Sequence, residues 1–302
     1  MKTIDIVVPS YNEEESLPLF YDAIEALALT MPGYEIRYIF VDDGSSDGTL
    51  RVIKGLAEKN ERVGYVSFSR NFGKEAGIYA GLQNSSADIV VLMDADLQHP
   101  PALIPEMIKA LDEGHGAAGA KRKVTGASKL FTKFNNKVSK TKLQNGATDF
   151  MCMSRSFVDA VLSMSEKQRF TKGIFAWVGF DVKWFDYEQE ERLAGTTKWN
   201  FRKLSNYAVE GITSFSTVPL RFVFFLGAAV CLFAVIYIII TLIQTLICGI
   251  DVPGYVTTLI AILFMGGVIM LALGIIGEYI RGIYIESKNR PIYLAKEIKV
   301  KK

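Results

Sequence analysis

Two short acidic clusters hold the chemistry this sequence can perform. Asp94-Ala95-Asp96 sets two carboxylates one residue apart, directly after the apolar run Ile89–Met93. Carboxylates so placed can share a divalent cation, and their hard oxygens suit Mg²⁺ or Mn²⁺. Such a cation neutralises part of a pyrophosphate and stabilises the charge left when its bond to a sugar breaks. Gln98 can add an amide oxygen, to the metal or to water bound on it. In Asp42-Asp43-Gly44-Ser45, the carboxylates can accept hydrogen bonds from a base or ribose, and Gly44 and Gly48 permit close backbone approach. The same pair also reads as an acidic cap between a strand and a helix. Pro9 and Tyr11 could form one side of a base slot, with Glu13 as a polar contact. Lys74, in Arg70-Asn71-Phe72-Gly73-Lys74, could meet a phosphate or a base oxygen, or lie on the surface.

These residues need elements that bring them to one place. Apolar patterning predicts strands at Ile4–Pro9, Tyr34–Val41, Val63–Phe68, Asp88–Met93 and Asp149–Met153. Between them it predicts helices that begin near Ser16, a candidate cap, and span Thr49–Lys59, Glu75–Gln83, Ala102–Leu111 and about Ser156–Met164. Strands and helices alternating at this spacing imply right-handed crossovers and a mostly parallel sheet. Both acidic clusters then fall at the carboxyl ends of strands, the edge where open parallel sheets bind ligands.

After Pro219 the character changes. Phe222–Ile250 and Val252–Gly277 carry no charge and are separated by Asp251. Each exceeds the about 20 helical residues needed to cross a hydrocarbon core. The expected organisation is a catalytic domain over 1–200, amphipathic juxtamembrane helices over 201–221 marked by Leu204, Tyr207, Ala208, Ile212 and Phe215, two membrane helices at about 222–247 and 255–280, and a basic tail over 282–302. The turn between the helices has no Lys or Arg, whereas the tail holds Arg281, Lys288, Arg290, Lys296, Lys299, Lys301 and Lys302. That asymmetry predicts a multi-pass plasma-membrane protein with both ends and the large domain in the cytoplasm. Glu278 is expected to pair with Arg281, and the glycines at 227, 249, 266, 267, 274 and 277 suggest close helix contacts, within the hairpin or between subunits.

Composition narrows the classes further. A net charge of +2 over 302 residues, with no basic arm, gives no support to a nucleic-acid partner. Cys152, Cys231 and Cys248 lack metal-ligand spacing and read as buried or lipid-facing thiols, and two histidines make a histidine-based metal site improbable. His99, followed by Pro100 and Pro101, reads as part of a turn. Met1-Lys2-Thr3-Ile4 is no signal peptide, so insertion is assigned to the C-terminal apolar segments. The stretch Lys121–Lys142 holds eight positive and no negative side chains, suiting anionic headgroups or a phosphate.

Several spaced motifs together carry a resemblance. Ile6-Val7-Val8-Pro9-Ser10-Tyr11-Asn12-Glu13-Glu14, Val41-Asp42-Asp43-Gly44-Ser45-Ser46-Asp47-Gly48-Thr49 and Asp94-Ala95-Asp96-Leu97-Gln98-His99-Pro100-Pro101 are similar to motifs of the family 2 glycosyltransferases of GT-A fold. Asn145-Gly146-Ala147-Thr148-Asp149-Phe150, Arg169-Phe170, Trp177-Val178-Gly179-Phe180, Gly195-Thr196-Thr197-Lys198-Trp199 and Phe215–Arg221 extend the likeness to the polyprenyl-phosphate glycosyltransferases. Within that group the chain resembles the bactoprenol glucosyltransferases, which are related to dolichol-phosphate mannose synthase. The resemblance implies metal at Asp94, Asp96 and Gln98, with uridine contacts from Pro9, Tyr11, Glu13 and Asp42 and donor binding that extends to Asp43, Lys74 and Ala95. It also implies a UDP-sugar donor (UDP-glucose or UDP-N-acetylglucosamine), undecaprenyl phosphate as acceptor, inversion at the sugar carbon, a homotetramer and a place upstream of a lipid-linked sugar flippase. Asp96, Asp149 and Arg122 are the expected catalytic residues. Lys121, Arg122, Arg155, Lys198 and Arg202 are the candidates for the acceptor phosphate. The family's Gly-x-Arg-x-x-Arg becomes Gly119-Ala120-Lys121-Arg122-Lys123-Val124 here, with Lys121 and Val124 at the two arginine positions.

A lipid phosphate oxygen is already anionic near neutral pH, so no base need strip a high-pKa proton from it. The harder task is to offset repulsion between two negative substrates. Asp149 could orient a cation, position the sugar or act as a base; it could equally cap a strand. Competing readings are a processive polysaccharide synthase, a catalytically silent nucleotide-binding scaffold, and a hydrolase that releases free sugar. Gln168-Arg169-Phe170 stands where a processive synthase would show Gln-x-x-Arg-Trp.

Overall fold

The computed structural model describes residues 1–122, 132, 136, 141–188, 218–248 and 254–301. Candidates Lys198 and Arg202, most of the basic stretch after Arg122, and the amphipathic segment up to residue 217 lie outside the described residues.

An eight-stranded sheet forms the frame. Its strands are β1 (Lys2–Ser10), β2 (Tyr34–Asp42), β3 (Val63–Phe68), β4 (Ile89–Leu92), β5 (Ala117–Lys121), β6 (Ala147–Ser154), β7 (Val182–Asp186) and β8 (Ala295–Lys299). They lie in the order β7-β5-β6-β4-β1-β2-β3-β8. β1 pairs in parallel with β2 and β4, β2 with β3, and β5 with β7; only β6 and β8 run against their neighbours. The mostly parallel sheet expected from the alternating pattern is therefore present.

Helices α1 (Ser16–Ala28), α2 (Thr49–Lys59) and α4 (Ile104–Asp112) cover one face; α3 (Lys74–Asn84), α5 (Arg155–Ser163) and α6 (Thr171–Trp177) cover the other. Alternating side chains of β1 separate accordingly. Ile4, Ile6 and Val8 pack with Phe20, Ile24 and Ile53, while Val7 packs with Ala80 and Leu82. Burial on both faces explains why these strands read as unbroken apolar runs. Ser16 differs from its expected capping role: it opens α1 with no side-chain cap, and its hydroxyl donates to the Glu13 carboxylate.

Two long helices follow, α7 (Val218–Cys248) and α8 (Tyr255–Ser287). At about 1.5 Å per residue each is well over 40 Å long, and by length and composition both can cross a membrane. Their large apolar side chains stand exposed, including Phe224, Leu246 and Met270. Arg281 donates to Glu278 at 2.7 and 2.9 Å, as the sequence suggested. Gly227, Gly266, Gly267, Gly274 and Gly277 have open space where a side chain would project, so they do not mark close contacts within this helix pair.

The segment after α8 is more than a basic tail. β8 pairs antiparallel with β3 and closes that edge of the sheet. Tyr293 stacks on Phe68 at 4.8 Å between ring centres and donates to Gln83 Oε1 at 2.9 Å. The chain leaving α8 is thus tied back to the sheet. Replacing Tyr293 tests this tie: in thermal unfolding in detergent, Tyr293→Phe should cost about 1 kcal/mol. Tyr293→Ala, which also loses the ring, should cost about 2–3 kcal/mol.

Candidate active site

The carboxyl edge of the sheet gathers residues that are distant in sequence. β1 ends at Ser10, β2 at Asp42 and β5 at Lys121, while β4 runs out toward Asp94. Because β6 runs the other way, its first residues lie at this same edge. The register pairs Leu92 with Met151; continued by two residues, it sets Asp94 opposite Asp149.

Lys74, at the start of α3, joins the two. Its ammonium lies 2.7 and 2.8 Å from the Asp94 oxygens and 2.6 Å from Asp149 Oδ2. Burial works against the ammonium, but Asp149 and then Asp94 outweigh it and hold Lys74 above the usual lysine range. Burial likewise opposes ionisation of Asp149, yet Lys74 and Lys172 hold its carboxyl well below the usual range. Lys172, on α6, donates to Ala147 O at 3.1 Å and stands 3.8 Å from Asp149 Oδ1. No local pattern singles it out, because α6 reaches the site only by packing.

The local backbone around these groups is unusual in two places. Leu97, between Asp96 and Gln98, has φ +53° and is buried, and the Gln98 amide donates to Asp96 Oδ1 at 3.2 Å. Asn12 also has φ +53°, and its side-chain oxygen accepts from the Ser46 amide. Left-handed conformations at non-glycine residues cost energy and persist where surrounding contacts fix them. Asp94, Asp96 and Gln98 are each half-buried, so their polar groups are reachable from the edge.

The paired aspartates at the end of β2 already carry bonds within the chain. Asp42 accepts from the Ser45 amide and from Ser67 Oγ, both at 3.0 Å. Asp43 accepts from the amides of Phe72 at 2.6 Å and Gly73 at 2.9 Å, directly ahead of Lys74. Burial raises the Asp43 pKa, and those two amides oppose the rise. Gly44 adopts φ +64° against the backbone of Arg70, where any side chain would collide. Asp43 therefore acts on the site by holding the loop that presents Lys74. Tyr11 is 37% exposed at the edge, Pro9 lies against Gly77 of α3, and the Glu13 amide donates to Thr49 Oγ1 at 2.8 Å.

Arg155 is not brought to this edge. It follows the far end of β6, where its side chain donates to Ser85 O and Asp159 and its amide to Asp88 O. It lies six residue steps along the chain from Asp149, about 20 Å. Lys121 and Arg122 do lie at the site edge, with Lys121 Nζ 3.4 Å from Asp186 and the Arg122 amide donating to Gly146 O. His99 is a residue that sequence reasoning left in a turn. It is buried between Phe150 and Tyr187, its Nδ1 has no hydrogen-bond partner among the described residues, and burial lowers its pKa. Its position three residues after Asp96 was the available signal; the two prolines that follow pointed elsewhere.

The donor set fits a hard divalent ion. Asp94, Asp96 and Gln98 offer oxygens, and the Lys74 ammonium already occupies a cation's place on Asp94. Among the described residues no three His, Cys, Asp or Glu side chains form a closed cage. Mg²⁺ is commonly held by one or two carboxylates plus substrate phosphates, a number Asp94 and Asp96 can supply. The Asp43 arrangement is open to a direct check. Asp43→Ala strands two amides and should lower stability by about 2–4 kcal/mol in thermal unfolding.

Comparison with known proteins agrees with this geometry. Glycosyl transferase family 2 matches residues 5–162, and the GtrB C-terminal hairpin matches residues 218–283. A Bacillus subtilis protein named as a glycosyltransferase, CsbB, is 46% identical over 98% of this chain and 92% of its own length. The bactoprenol glucosyl transferase of Shigella phage SfV is 41% identical over 99% of both chains. An Escherichia coli prophage bactoprenol glucosyl transferase homolog is 40% identical over 98% of this chain and 99% of its own. Mannosyl-3-phosphoglycerate synthase from Rubrobacter xylanophilus, 19% identical, shares the fold with a TM-score of 0.50 over 69% of this chain and 71% of its own. With its GT-A-like sheet, its acidic edge and its paired apolar helices, this chain belongs to the family 2 glycosyltransferases and is a transferase of the bactoprenol glucosyltransferase type.

Proposed function

We propose that this chain transfers a hexose from a UDP-sugar to undecaprenyl phosphate, with inversion, at the cytoplasmic face of a plasma membrane. UDP-glucose is the first donor to try, because two of the similar proteins are named as glucosyl transferases; UDP-N-acetylglucosamine is the second. The observation that carries the reading is the single sheet edge shared by Asp94, Asp149, Lys121 and Arg122. The chain that builds this edge also returns from α8 to pair with the same sheet.

In this reading Pro9, Tyr11, Glu13 and Asp42 face the nucleoside, and Asp94, Asp96 and Gln98 hold Mg²⁺ or Mn²⁺. When bound, the ion takes up negative charge that develops on the departing diphosphate. Asp149, kept ionised by Lys74 and Lys172, faces the reacting sugar from the opposite strand and orients it. The acceptor phosphate is anionic already, so Asp149 need not act as its base. Lys121 and Arg122 offset the repulsion between that phosphate and the diphosphate. Nothing in this scheme needs a covalent enzyme intermediate.

The β8 return supports two membrane passes. A helix pair whose flanking segments join one sheet must cross the bilayer an even number of times. We further propose that both termini are cytoplasmic, that the chain works as a homotetramer, and that its lipid-linked product is consumed by a flippase before use in cell-envelope glycosylation.

Purified protein given a panel of UDP-sugars and polyprenyl phosphate, with lipid product weighed by mass spectrometry, tests the reaction. Asp96→Asn should reduce product by about 100-fold or more, the scale of losing a transition-state electrostatic contact. Sugar release without lipid coupling would overturn the proposal. Arg155→Ala should leave the acceptor KM within about twofold, whereas Arg122→Ala should raise it by about tenfold, as expected for a charge-assisted phosphate contact.

A further inference from the structure

Lys74 does more here than wait for a phosphate. Its ammonium touches both oxygens of Asp94, and a divalent ion bound to Asp94 would have to occupy the same space. Two cations at such separation repel strongly in a partly dehydrated site. Ammonium and metal therefore compete for this carboxylate.

We infer that Lys74 is a resident counter-ion that must leave Asp94 before a divalent cation can bind there, coupling metal entry to donor entry. The inference rests on the reading of Asp94 and Asp96 as metal ligands, and adds an order of events to it.

The two carboxylates are not equivalent in this exchange. Asp149 keeps a second ammonium nearby, that of Lys172 at 3.8 Å. Asp94 has no other hydrogen-bond partner or ion pair among the described residues. Losing Lys74 thus exposes Asp94 alone, the carboxylate that the metal needs. Lys74 cannot travel far. It opens α3, and the loop before it is fixed by Asp43 through the Phe72 and Gly73 amides. Glu75, the next residue, accepts from the Thr171 amide at 2.8 Å and from the Thr171 hydroxyl. With its backbone anchored on both sides, the displaced ammonium can only swing at the same edge, where an arriving diphosphate offers negative oxygens. Metal without nucleotide leaves Lys74 with Asp149 as its one remaining anionic partner of the two; metal with nucleotide supplies a second.

The test reads Mn²⁺ binding to the full-length protein, by electron paramagnetic resonance, with no sugar transfer involved. Without nucleotide, Lys74→Met should bind Mn²⁺ about tenfold more tightly than wild type, because the competing charge is gone. Lys172→Met, which removes a nearby charge that does not touch Asp94, should stay within about twofold. With saturating UDP the advantage of Lys74→Met should vanish. Equal tightening in both variants would reduce the effect to general charge and overturn the inference; so would an unchanged or weaker affinity in Lys74→Met. A wild-type measurement covers a variant that fails to fold. Acylation of Lys74, followed by peptide mass spectrometry, should rise when Mn²⁺ is added alone and fall again when UDP joins it. Labelling indifferent to Mn²⁺ would also overturn it. Wild-type protein that makes lipid-linked sugar yet shows neither effect refutes the exchange and leaves the reaction standing. Protein that binds no Mn²⁺ with or without UDP refutes the metal reading itself.

Discussion

Carboxylates gathered at one edge of a sheet repel each other, and burial makes the repulsion worse. Here the Lys74 ammonium answers it by bridging Asp94 and Asp149. Much of the surrounding architecture can be read as holding that ammonium in place. Asp43 fixes the preceding loop, Gly44 lets that loop's backbone come close, and Glu75 ties the first turn of α3 to Thr171 at the start of α6. A site with its own cation has its repulsion offset without substrate, and the Asp149 carboxyl stays ionised for one that arrives.

The bridge exists because of one reversed strand. β1, β2, β3 and β4 deliver their ends to the same edge by the ordinary logic of parallel sheets. β6 is antiparallel to β4, so it contributes its beginning and places Asp149 across from Asp94. The same reversal sends Arg155 to the opposite edge, where Ser85 and Asp159 occupy it. Direction of a single strand thus decides which of two polar residues on it belongs to the chemistry.

The end of α8 is joined to this frame twice. β8 gives β3 an antiparallel partner after α8 has ended, and Glu286, in the last turn of α8, accepts from the amides of Lys167 and Gln168. Those amides lie just ahead of Thr171 and Lys172, which contact Glu75 and Asp149. A continuous set of bonds therefore links the base of a membrane helix to the reaction centre. If the enzyme meets one substrate in water and another in lipid, as proposed, such a link would fix the height of the site above the bilayer.

Local pattern in the sequence was enough for the alternating strands and helices, the two apolar spans, and the placement of both acidic clusters at strand ends. Those features depend on neighbours in the chain: apolar periodicity, a short acidic motif after an apolar run, and twenty or more residues without charge. Partners distant in sequence were beyond its reach. Asp43 reads like a ligand contact but spends its oxygens on Phe72 and Gly73; His99 reads like a turn residue but packs between Phe150 and Tyr187. The strand at Ala295–Lys299 reads as basic tail because only its pairing with Val63–Phe68 makes it a strand. Which residues could do chemistry was written in the chain. Which of them meet was decided by strand direction and register, because these act over separations that no local pattern records.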